Sequence, residues 1–479
     1  MKKQVFNPYL PSWEYTPDGE PHVFGDRLYV FGSHDRFGGS NYCLNDYVCW
    51  SCPTEDLSNW RFEGVIYRKD QAPGNKKLRS MQAPDVAQGP DGRYYLYYTL
   101  MFSTETQVAV CDTPAGRYEY YGTVHWPNGK AFGKAAKDPT SFDPAIFVND
   151  DGRIWFYAGT SMGDPTLRKI GKFTHNIKMM SLGGVVLELE PDMLTIRSRT
   201  ARPTVPGEDN SAGTEFEGHE FFEASSMRRF GDRYYFIYSS VHSHDLSYAT
   251  ADAPDGPFHY GGILLSNGNI GISGPDASFY WGNNHGSLVQ IGKTYYVFGH
   301  RQTNANEFSR QAIAQEIACE DGMFRQAEMT SGGLGGLLPD RGTFDAGIAS
   351  LLIGPEGACK VSEIRNKTLC PYLTQSGTDR EENPDQYLSN ILFGTEIGYT
   401  YFDIRKPARL ALWTKGWGHG RFEVRTERDG DLIGRIEVDA GRDWTCFEGD
   451  FELPVGIHGL YLRYYGQGST NLRRFSLKD

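Results

Sequence analysis

No stretch of this 479-residue chain stays apolar for the length a membrane span needs, and no dense cluster of lysine and arginine interrupts its net charge of −12. The first absence argues against a membrane partner. The second argues against nucleic acid, whose phosphates need a basic footprint. Cysteine is sparse: the eight thiols show no dense disulfide pattern, and Cys49 and Cys52 form a lone CxxC with only Cys43 nearby. They read as buried or idle thiols rather than a metal or redox centre. Lys2 and Lys3 are followed by no apolar segment, so no secretory signal is legible and the cytoplasm is the expected compartment. Helical periodicity is scarce, and no Ser-His-Asp arrangement, Gly-rich phosphate loop or HExxH run is present.

What is present is glycine (56 residues) and aromatic side chains (14%, mostly Tyr and Phe) in short runs bounded by tight turns, the pattern of an all-β protein. One phrase recurs five times, a turn running into an aromatic strand: GDRLYVFGS at 25–33, GRYYLYYT at 92–99, GRIWFYAG at 152–159, GDRYYFIYS at 231–239 and GKTYYVFG at 292–299. A supersecondary unit repeated in this way is the sequence mark of a radial or solenoid architecture. Asp91-Gly92 and Asp151-Gly152 are hairpin turn signals, so those aspartates are structural. With four strands to a unit, five units make a five-bladed β-propeller over residues 1–330, whose innermost strands line a central channel. A Gly-rich exit, SGGLGGLLP at 331–339, leads into further short alternating runs at 410–414, 420–426, 432–438, 444–453 and 459–465. These predict a β-sandwich, jelly-roll-like, within residues 331–479.

Upstream of each aromatic strand sits one ionisable residue in apolar surroundings: Glu20, Asp85, Asp143, Glu223 and His285. Burying a carboxylate costs free energy unless it is paired or used. Any one of them has a bland reading as a cap, a turn or a satisfied core group. Five in register with a repeat point to a shared site. Clustered carboxylates suit glycosidic bond cleavage, in which one must be protonated to donate to the leaving oxygen and another ionised to activate water.

These segments resemble glycoside hydrolase family 43, five-bladed propellers acting on arabinose- and xylose-containing glycans by inversion. The similarity rests on NPYLP at 7–11, SFDPAIFVNDDG at 141–152, FEASS at 222–226 and NHGS at 284–287. QAPDV at 82–86 resembles the second-blade motif with its Trp absent. The resemblance implies that Glu223 is the general acid, that Asp143 tunes its pKa, and that Asp85, His285 and Arg301 bind substrate. It also implies a calcium ion on the propeller axis near His285, with no cofactor required for the chemistry. Members usually carry Asp-Pro in the first blade, where this chain reads Asp18-Gly19-Glu20-Pro21. Aligning on the proline makes Glu20 the base, with Asp18 the alternative if the loop bulges at Gly19. The implied activity is an exo-acting glycosidase releasing α-L-arabinofuranose from oligosaccharides. A β-xylosidase or galactofuranosidase is the alternative, and a catalytically inactive carbohydrate-binding propeller the rival of another class. The C-terminal part resembles a family 6 carbohydrate-binding module, for which Trp413, Trp417 and Tyr399 are candidate stacking platforms unless they are core aromatics.

Overall fold

The computed structural model describes residues 6–76, 78–135, 138–161 and 183–479. The basic N-terminus on which the compartment expectation rests lies outside them. Each repeat folds as predicted into an antiparallel meander. The first sheet runs Glu20–Phe24, Arg27–Phe31, Tyr47–Pro53 and Arg61–Tyr67, and the second Asp85–Gln88, Tyr94–Thr99, Thr106–Cys111 and Glu119–Thr123. The third begins with Ala145–Val148 and Ile154–Ala158, and the fourth with Phe221–Phe230 and Arg233–Ser240. The fifth has three strands, Leu288–Ile291, Thr294–Gln302 and Arg310–Ile317.

The first strands of the five sheets contact one another in cyclic order, so they form the inner wall of a closed five-bladed ring. Closure is made between the first and last blades, where Gly19 pairs in parallel with Gly286. A Cβ on Gly286 would stand 1.9 Å from the Phe298 carbonyl oxygen, so only glycine permits this approach. Asn7 fastens the outer edge of the last blade, accepting from Ala314 N (3.0 Å) and donating to Thr330 O (3.0 Å). An otherwise open strand edge is thereby covered. The repeat turns behave as their chemistry demands: Asp91 and Asp151 accept the backbone N–H of Arg93 and Arg153, and Gly92 and Gly152 take positive φ. All eight cysteines are free. Cys49 and Cys52 share the strand Tyr47–Pro53 at an odd spacing, which sends them to opposite faces of the sheet.

The second unit is a sandwich of two six-stranded sheets. One is built around Glu396–Ile404 and Gly456–Gln467, the other around Ala408–Gly416 and Thr470–Lys478. Its centre is aromatic and dry, with Phe475 stacked on Phe344 (5.2 Å) and packed against Tyr399 (4.4 Å). The same hydrophobic cluster continues through Phe279, Tyr280 and Leu352 into Tyr235 and Tyr248 of the fourth blade. Propeller and sandwich therefore share one core.

Candidate active site

Asp18, Asp143, Glu223 and His285 gather at the ends of the inner strands, close enough to shift one another's titration. Three backbone positions there are unusual for residues with a Cβ: Asp18 (φ 58°), Asp143 (φ 44°) and Ala224 (φ 69°), next to Glu223. Left-handed backbone at non-glycine residues is a mark of functional sites. Each redirects a side chain: the turn at Asp18 swings its carboxylate into the site before the strand proper begins at Glu20. Glu223 stays paired with Ser239, but the register shifts on either side of that pair, which sets it apart from the rest of its strand.

Asp18 is buried and accepts from Arg310 Nη1 at 3.0 Å. Arg310 is itself held by a two-pronged contact to Asp35, Nε to Oδ2 at 2.9 Å and Nη2 to Oδ1 at 3.0 Å. Burial pushes the Asp18 carboxyl up, but the Arg310 guanidinium, together with the His285 ring and the other groups around it, holds it below the usual carboxylate range. His300 completes this corner. Its Nδ1 accepts from the Asp18 backbone N–H (3.2 Å) while Nε2 donates to Asn283 O (2.7 Å), an arrangement that needs the neutral ring. Burial drops its pKa to about 3, in agreement.

Glu223 behaves in the opposite way. Burial, and then the charge of Asp143, push its pKa up to about 8. Burial raises Asp143 too, against the pull of His285. The His285 ring stands 3.6 Å from Asp143 through Nδ1 and 3.6 Å from Glu20 through Nε2. Both gaps exceed hydrogen-bond reach, so the attraction acts across space. Burial opposes charge on the ring, yet the two carboxylates hold His285 well above its ordinary value. One carboxyl kept protonated and another kept ionised is the pairing that acid–base cleavage requires.

Glu20 does not join this pair. Its Oε2 accepts from Ser226 Oγ (2.9 Å) and Arg228 Nη2 (2.6 Å). The expectation that Glu20 activates water meets a Glu20 whose Oε2 is already held by Arg228 and Ser226, while Asp18, the alternative, takes a left-handed backbone (φ 58°). Asp85 is also spent on structure: it accepts from His22 Nε2 (2.7 Å), Val86 N (2.8 Å) and Ile146 N (2.9 Å), tying blades one, two and three. Arg301 lies on the wrong face. Cross-strand pairing sets Gln302 opposite Arg310 and His300 opposite Ala312 on one face, and Arg301 opposite Gln311 on the other, so alternation turns Arg301 away from the channel. It donates to Ala349 O (2.9 Å) and Gly347 O at the junction with the sandwich, under Phe279. Sequence reasoning missed Arg310, His300 and Asp35. The pairing of the GHRQ and SRQAIA runs would have exposed the first two, since both lie on one face of that hairpin. It also missed Tyr42, whose ring covers Arg310 at 4.9 Å with Phe308 edge-on at 4.8 Å, forming an apolar wall.

A ring of five meanders with opposed carboxyls at its centre is matched by the sequence profile of glycosyl hydrolases family 43, over residues 15–324. The chain belongs to this family. It is a glycoside hydrolase. It is 45% identical, over its whole length and 99% of the relative's, to a xylosidase/arabinosidase of Thermoclostridium stercorarium. It is 29% identical to xylosidase/arabinosidase 43A of Humicola insolens, over 60% of this chain and 88% of that protein. Among solved structures, a family 43 arabinoxylan arabinofuranohydrolase from Bacillus subtilis covers 99% of this chain and 97% of its own at 20% identity, with a TM-score of 0.50. A family 43 β-xylosidase/α-arabinofuranosidase from a compost metagenome, in a calcium-free form with xylotriose, covers 68% of this chain and 98% of its own at 25% identity and TM-score 0.53.

On the sandwich, Tyr399 is fully buried against Phe475, which corrects its reading as a platform. Trp413 is half-buried under Arg474. Trp417 is 66% exposed and lines a cleft.

Proposed function

We propose that this hydrolase releases terminal α-L-arabinofuranosyl residues from oligosaccharides with inversion, using Asp18 as base and Glu223 as acid. The observation that carries the reading is the split between the two carboxyls: Asp18 is bonded to Arg310 (3.0 Å) and its pKa is lowered, while burial and the Asp143 charge push the Glu223 pKa up to about 8. Asp18 takes a proton from water as the water oxygen bonds to the anomeric carbon. The glycosidic C–O bond breaks, and its electron pair takes the Glu223 proton, freeing the leaving alcohol. Asp143 holds Glu223 protonated and is itself restrained by His285. Tyr42 and Phe308 supply the wall for the C–H face of the sugar.

A second reading, β-D-xyloside hydrolysis in the same pocket, is favoured by the paired activities in the relatives' names. The inactive-propeller rival loses its motive, since the departure at Glu20 leaves an ionised aspartate in the site. Hydrolysis of nitrophenyl α-L-arabinofuranoside, β-D-xyloside and β-D-galactofuranoside, with the product anomer followed by proton NMR, tests all three. Greatest kcat/KM on the arabinofuranoside with inverted product supports the proposal. Preference for the xyloside replaces the substrate, a retained anomer removes the mechanism, and no turnover of any of them removes the activity.

A further inference from the structure

The sandwich carries a cleft of roughly 680 Å³ that shares no lining residue with the propeller channel, walled by Trp417 and Tyr372 and edged by Ser389, Asn390 and Asn471. An exposed indole beside amide and hydroxyl groups suits a sugar ring, which offers C–H faces to one and hydroxyls to the other. The charge around it is more telling. Lys367, Lys415 and Arg442 line the cleft, and among the described residues no Asp or Glu does, in a chain whose net charge is −12. Arg442 and Lys415 rest on aromatic faces, over Trp417 at 5.8 Å and over Trp444 at 5.4 Å. We propose that this cleft binds acidic glycan, a chain bearing uronic acid carboxylates, and so holds the catalytic propeller on charged hemicellulose. The proposal deepens the reading of the protein as a glycan hydrolase, but its test is independent of turnover.

In native affinity electrophoresis, the full chain should be retarded by a glucuronic-acid-bearing xylan. It should be retarded at least about tenfold less by the same xylan after its carboxyls are reduced to alcohols. Raising salt should weaken the acidic interaction, and a Lys415→Met/Arg442→Met double variant should lose it while keeping hydrolysis of nitrophenyl glycosides. Trp417→Ala should lose binding to both polymers. Equal retardation by the carboxyl-reduced xylan, an unaffected double variant, or no retardation at all overturns the proposal.

A second inference concerns the propeller axis, where the family resemblance implied calcium at His285. Two buried atoms there lack hydrogen-bond partners, His285 Nε2 and Glu20 Oε1. Calcium takes six to eight oxygen ligands at 2.3–2.6 Å, and of the Glu20 and Asp85 carboxylate oxygens only Glu20 Oε1 is without a partner. Glu20, His22 and Asp85 gather their ligand atoms within 4.8 Å, but His22 bonds Asp85 directly and Glu20 Oε2 is taken by Ser226 and Arg228. A cation is in place already. The Arg228 side chain leaves the fourth blade, donates through Nε to Leu288 O of the fifth (2.9 Å), and reaches Glu20 Oε2 (2.6 Å) and Pro21 O (3.1 Å) of the first. It spans the junction where the ring closes. The residues do not fit a calcium site, and we infer that Arg228 is the built-in cation of this axis, making fold and activity independent of divalent metal.

Metal analysis of purified protein should find well under one equivalent of calcium. Chelator followed by calcium should leave both the melting temperature and kcat/KM unchanged within about twofold. Arg228→Met should lower the melting temperature by several degrees, with Arg228→Lys falling between if the methionine variant does not fold. Stoichiometric calcium, or a melting temperature that drops with chelator and returns with calcium, overturns the inference. So does an Arg228→Met variant as stable as the parent.

Discussion

The centres of the two domains are built from the same kind of aromatic strand and filled in opposite ways. The sandwich closes on Phe344, Phe402, Phe475 and Leu412, all fully or almost fully buried and free of charge. The propeller closes on Asp18, Glu20, Asp85, Asp143, Glu223, His285 and Arg228. Two facing sheets can interdigitate until no channel remains, whereas five inner strands around an axis cannot. The residues around that axis must therefore be matched in charge with one another, and burial and the Asp143 charge push the Glu223 pKa up to about 8. The comparison teaches that the active site is the part of the ring closure left incompletely neutralised.

The comparison breaks if substitutions on the axis act on stability and those in the sandwich act on turnover. Glu223→Gln should cut kcat on unactivated oligosaccharides about 10²–10⁴-fold, far less on nitrophenyl glycosides, with the melting temperature nearly unchanged. Phe475→Ala should do the reverse, costing about 3–5 kcal/mol in denaturant unfolding while the folded fraction keeps its kcat. Asp143→Asn should shift the basic limb of the pH–rate profile. With Glu223 titrating at about 8, wild-type activity falls as pH rises through that value. Removing the Asp143 charge lowers the Glu223 pKa, so the limb moves to lower pH; an unmoved or raised limb would separate Asp143 from the acid. The smallest effect is expected where the domains touch. Asp379 of the sandwich accepts from Phe37 N (2.7 Å) and Asn45 Nδ2 (3.0 Å), and Asn45 in turn holds the backbone of Asp35, the partner of Arg310. Asp379→Ala should loosen that chain and cost about twofold to tenfold in kcat/KM, measured with a nitrophenyl substrate.

The repeat made the blades legible because each aromatic strand needs the same turn before it, and the roles proposed for Asp143, Glu223 and His285 were drawn from their fixed points in that repeat. Asp18 against Glu20 was not. Both face the channel two residues apart, and the choice depends on a left-handed φ at Asp18 that no pattern of side chains announces. Arg301 was mistaken for a site residue because a basic residue after the last repeat looks alike on either face; one step of register separates it from His300. The docking of the sandwich on blades one, four and five was invisible for a different reason. Its contacts join residues far apart in the chain, such as Arg301 with Ala349 and Asn304 with Leu373, with no periodic trace.

The central claim is that water is activated by Asp18. Azide offered to base-deleted variants tests it most directly, since a small anion can replace both the water and its base in the cavity left behind. Asp18→Ala should regain turnover of an activated arabinofuranoside with azide and form the glycosyl azide of inverted configuration, while Glu20→Ala should show no azide dependence. Azide rescue of Glu20→Ala, with Asp18→Ala unresponsive, would contradict the account.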